Sequence, residues 1–66
     1  MNIAEEYGNL MRTINDGIDP VTRIQMIGNL MNLLEQNTDL HYQIKAKMKR
    51  KLNSEFGKAI DELDEE

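Results

Sequence analysis

The first apolar positions of the chain, Ile3, Tyr7, Leu10 and Ile14, are spaced by four, three and four residues, which puts them on one stripe of a helix that Met11 widens. The pattern predicts a first helix over about 2–15. Stop and start signals follow together in "NDGIDP", residues 15–20. Gly17 suits the left-handed conformation that ends a helix, and Ile18 is placed to fold back on the last turn. Asp19 suits the cap of the next helix, and Pro20 suits its first position.

A second helix is expected over about 20–36. Ile24, Ile27, Met31 and Leu34 form one stripe and Met26, Leu30 and Leu33 a second. At about 100° per residue the two stripes cover roughly two-thirds of the circumference, more than one partner helix can bury. In an antiparallel hairpin about Gly17, Ile14 is expected to meet Val21, Leu10 to meet Ile24 and Ile3 to meet Met31. Gly28 would then face Tyr7 or Gly8, either as a point of close backbone approach or as a tolerated glycine.

"NTD" at 37–39 offers caps for a third helix over about 39–63, along which Leu40, Ile44, Met48, Leu52, Phe56 and Ile60 recur every four residues, with Ala59 and Leu63 extending the row. Ser54 and Gly57 mark where this helix would break, near 54–57, if a fourth existed. No alternating strand pattern interrupts the helical one. The expected fold is all-α: one domain over 1–66, a three-helix or four-helix small bundle built from a helical hairpin and a long C-terminal helix.

Length changes this picture. Sixty-six residues bury only about 60% of the surface of the unfolded chain, so the core is marginal and needs reinforcement. With no cysteine, disulfides are excluded, which leaves good helix packing or oligomerisation. Five methionines stand beside three aromatics, Tyr7, Tyr42 and Phe56, and methionine suits adaptable interaction surfaces. No apolar run approaches the roughly 20 residues that span a bilayer, and "MNIAEEYGNLM" is acidic where a signal peptide is basic, so a cytoplasmic protein without membrane contact is expected.

Candidate chemistry is sparse. His41 is the single histidine and has no second histidine or cysteine with which to build a metal site. "DGID" at 16–19 lacks the run of oxygen ligands a calcium loop requires, and Glu5 and Glu6, adjacent on a helix, do not face each other as an acid/base pair. Neither a glycine-rich phosphate loop nor a Ser/His/Asp set can be assembled. The sequence reads as a non-enzyme with no cofactor and no metal, and its expected role is to bind another protein, as small helical inhibitors, antirepressors and chaperones do.

Charge supplies the remaining signal. Net charge is −4, yet residues 45–51, "KAKMKRK", hold five of the eight cations. On a helical wheel Lys47, Arg50, Lys51 and Lys58 share an arc of roughly 100°, with Lys45 and Lys49 on the opposite flank of the apolar row. Three readings follow. The cluster can be a solvated face. It can set the register of a homodimer, the assembly expected for this chain, whose seam is Met48, Leu52, Phe56, Ala59 and Leu63, with the basic run of one copy beside the acidic "DELDEE", 61–66, of the other. It can also bind DNA through Lys47, Arg50, Lys51 and Lys58, although the net charge and the lack of interleaved aromatics weigh against nucleic acid. The expected partner-binding surface is Met26, Leu30 and Leu33 on the second stripe of helix 2.

Overall fold

The computed structural model describes residues 2–65. Among these the chain forms three helices and no strand: α1 (Ile3–Asn15), α2 (Pro20–Gln36) and α3 (Tyr42–Asp64). Each start has a local cause. The Asn2 side chain accepts from the Glu5 amide and caps α1, whose first turn carries Glu5 and Glu6 where the helix dipole favours anions. Gly17 closes the first turn with φ 88°, where a side chain would be strained. Asp19 then caps α2 by accepting from both the amide and the hydroxyl of Thr22, with Pro20 in the first turn, as the sequence implies.

The third start differs from the expectation. Asn37 Oδ1 accepts from the amides of Asp39 and Leu40, both at 2.9 Å, so "NTD" builds a side-chain-closed turn instead of a helix cap. α3 begins at Tyr42, and its cap is His41, whose Nδ1 accepts from the Gln43 amide at 3.2 Å. The turn leaves Leu40 outside the helix, packed against the core. From Tyr42 the helix continues to Asp64 without a break, with Ser54 and Gly57 exposed inside it.

α2 lies in the middle. It packs extensively on α3 and less on α1, while α1 and α3 barely touch. This division of labour explains its wide apolar arc, because two neighbours share it. The buried apolar set is Ile3 and Leu10 from α1, Ile27, Leu30 and Leu34 from α2, and Leu52 and Ala59 from α3. Part-buried Met11, Met26, Met31, Leu33, Met48 and Phe56 pack around it, a core rich in methionine.

The structure bears on two expectations for the hairpin. Val21, assigned to Ile14, is 50% exposed. A Cβ on Gly28 would meet nothing within 4 Å, so close approach is not its reason. Gly28→Ala is therefore expected to stabilise the chain by about 0.5–1 kcal/mol, the helix-propensity difference, in urea unfolding. A loss of stability would show that a neighbour does crowd this site.

Ion pairs fix the register of α2 against α3. Arg23 pairs with Glu62 at one end and Lys49 with Glu35 at the other, so residues 42–47 reach past the last turn of α2. The overhang makes the molecule long, 39 × 17 × 15 Å, with a radius of gyration of 12.0 Å. A rounder domain of this length would have about 11 Å. Tyr42 and Ile44 on the overhang are 72% and 48% exposed.

Candidate functional site

The partner-binding residues expected from sequence come together in a groove. Met26, Leu30 and Leu33 of α2 face Leu10 of α1 across a shallow depression of about 220 Å³, rimmed by Glu6, Asn9, Thr13 and Asn29. Leu10 and Leu30 are buried and form the floor, while Met26 and Leu33 are part-buried and form the apolar wall. Leu30 is thus a core residue with a groove-facing edge, not a free surface residue as the stripe suggested. Small-molecule pockets usually enclose about 300–1,000 Å³, so an open groove of this size suits one or two side chains of a macromolecular partner.

Sequence reasoning found the α2 wall and missed the α1 wall. The signal was present: Glu6, Asn9 and Thr13 are spaced by three and four residues and form a polar row beside Leu10. Thr13 spends its hydroxyl on the Asn9 carbonyl, at 2.9 Å, which holds that rim in place.

The expected dimer seam is placed inside the single chain. Leu52 and Ala59 are 0% exposed, Met48 and Phe56 pack against the core, and Leu63 is part-buried. Met48, Leu52, Phe56 and Ala59 are thereby used within the chain, while Leu63 keeps part of its surface. Glu55 shares this face, buried between Lys51 and Lys58, whose ammonium groups both lie 3.3 Å from Oε1. Burial alone would raise the Glu55 pKa, but hydrogen bonds and charge from Lys51 and Lys58 outweigh it and hold the carboxyl below its ordinary value.

The remaining cations of the basic run divide by position. Lys45 Nζ donates to the Asn37 carbonyl at 2.7 Å, at the C-terminal end of α2 where the dipole favours a cation. Lys49 pairs with Glu35, and that hydrogen bond, with the charge behind it, lowers the Glu35 pKa. Of the four residues expected to form one electrostatic site, Lys51 and Lys58 serve Glu55, whereas Lys47 and Arg50 have no acidic partner among the described residues. The cluster that reads as one feature in sequence therefore does three separate jobs.

Arg23 is the least anticipated residue. It is buried, pairs with Glu62, and donates from its second terminal nitrogen to the Ile18 carbonyl at 2.8 Å, while its Nε finds no acceptor. It thereby ties the first turn of α2 to both the α1–α2 connection and the end of α3. His41, by contrast, is exposed, stacked on Tyr42 with ring centroids 4.7 Å apart. Among the described residues no group of three or more His, Cys, Asp or Glu converges on a metal-sized site, and no helix is long and apolar enough to cross a membrane. No protein-family model, curated protein or solved structure matches this chain.

Proposed function

We propose that this chain is a small non-enzymatic regulator that acts by binding a partner protein, in the manner of an inhibitor, antirepressor or chaperone. The observation that carries the reading is the α1–α2 groove, an open apolar strip at Leu10, Met26, Leu30 and Leu33 with a polar rim. Its shape and lining suit the apolar row of an amphipathic helix, whose anchors at i, i+3 and i+4 would take the places between the two walls. Methionine at the wall lets the groove adapt to the anchor presented.

The test is a selection of helical peptides against the immobilised chain, followed by titration of the selected peptide into wild type and into Met26→Glu/Leu33→Glu. Both residues are part-buried at the groove edge, so circular dichroism is recorded for each variant to establish that the helices persist. Binding is expected to fall by at least about tenfold in the double variant, as it does when a central apolar anchor is lost. Peptides that bind the folded variant as tightly as wild type would overturn the reading.

DNA binding through Lys47, Arg50, Lys51 and Lys58 is the alternative. It has less to draw on, because Lys51 and Lys58 neutralise Glu55 and the overall charge is −4. Binding of a DNA duplex that weakens steeply with salt would favour it.

A further inference from the structure

The outer face of α3, opposite Leu52, Glu55 and Ala59, carries a pattern that the fold of one chain does not use. Lys47, Arg50, Ser54, Gly57, Asp61 and Asp64 are all exposed and succeed one another by three, four, three, four and three residues. At about 100° per residue they lie within an arc of roughly 100°. This is the spacing of a helix-packing seam. Its order is two cations, two small residues, two anions, and it is symmetric about a point midway between Ser54 and Gly57. Turned end for end, the stripe sets Lys47 against Asp64, Arg50 against Asp61 and Ser54 against Gly57, all in a single register.

We propose that this face docks a second copy of the same chain, with the two α3 helices antiparallel across a two-fold axis at Ser54–Gly57. A two-fold interface requires a patch complementary to itself, and the stripe has that property in both charge and spacing. Two features of the single chain support it. Lys47, Arg50, Asp61 and Asp64 make no ion pair among the described residues, whereas Lys49, Lys51, Lys58, Arg23, Glu35, Glu55 and Glu62 do. A Cβ on Gly57 would touch nothing within 4 Å, so no packing inside the chain explains a helix-breaking residue at that point. Small residues at the crossing let two backbones approach closely, and they stand where the axis requires them.

Exposed ion pairs are individually weak and screened by salt, so the dimer is a weak one in which charge selects the register. The proposal is independent of the α1–α2 groove, which lies on other helices.

Sedimentation velocity on the full chain, from about 10 µM to about 1 mM protein and at about 20 mM and about 500 mM salt, tests it. Self-association is expected at low salt and to weaken at least about tenfold at high salt. Arg50→Glu is expected to weaken it by about tenfold or more, because the two-fold axis doubles the effect of each substitution, and Arg50→Glu/Asp61→Arg should restore it. Gly57→Gln separates the chain's own stability from docking: it should raise the melting temperature, since the site is open and glutamine is the better helix former, and yet abolish association. A monomer throughout, association indifferent to salt and to Arg50→Glu, or failure of the charge swap to restore it would each overturn the proposal.

Discussion

Replacing Leu52 by alanine will leave most molecules unfolded at physiological temperature. Leu52 is wholly buried and shares one core cluster with Ile27 and Leu34, also wholly buried. Truncating such a leucine costs about 2–5 kcal/mol, the lost transfer energy plus the cavity left behind. A single core in a domain of this size rarely supplies more than about 3–5 kcal/mol, so the loss equals most of the total. Thermal unfolding followed by circular dichroism should show the midpoint falling by at least about 10 °C, at about 4–8 °C per kcal/mol. Ile60→Ala is the control: this isoleucine is on the same helix but 39% exposed, and its truncation should cost less than half as much. Equal costs at the two positions would mean that the seam is not where the stability resides.

The second large effect is expected at Arg23, and the order of three variants matters more than any one value. Arg23→Ala removes the stem packing, the Glu62 pair and the bond to the Ile18 carbonyl together, for about 2–3 kcal/mol. Glu62→Gln leaves a buried guanidinium without its counter-charge. Because Glu62 is itself half exposed, water makes up part of the loss and about 1 kcal/mol is expected. Arg23→Met keeps the packing and removes both the buried charge and the unsatisfied Nε, so it should remain within about 1 kcal/mol of wild type. Urea unfolding gives all three. If methionine proves as damaging as alanine, the hydrogen bond to Ile18 outweighs packing and burial of charge.

Much of this architecture was legible because it is written in local signals. The α1–α2 connection obeys glycine, capping and proline rules that act within five residues, and Gly17, Asp19 and Pro20 each do what their types imply. The start of α3 was not legible in the same way. Asn37 had two uses available, capping a helix or closing a turn onto Asp39 and Leu40, and the turn also lets Leu40 reach the core. The core face of α3 is only partly legible, for a geometric reason. A row spaced by four residues drifts about 40° per step, so over the four steps from Ile44 to Ile60 its ends leave the face its middle occupies. The true face mixes spacings of three and four through Leu52, Glu55 and Ala59. Its carboxylate is tolerated because Lys51 and Lys58 flank it on the preceding and following turns. The Arg23–Glu62 pair joins residues 39 apart and depends on the packing of α2 on α3, which no local pattern encodes.

The central position of α2 also grades stability along the chain. Since α1 rests mainly on α2 and barely touches α3, its release with the α2–α3 hairpin still folded is expected to cost less than full unfolding, a sub-global opening. In that minor state the whole Met26–Leu30–Leu33 row is bared, where the closed molecule offers only a groove. A ligand able to cover the row would draw the population toward the open form in proportion to its preference for it. The surface available for recognition is in that sense a thermodynamic quantity, set by how firmly thirteen residues of α1 are held down.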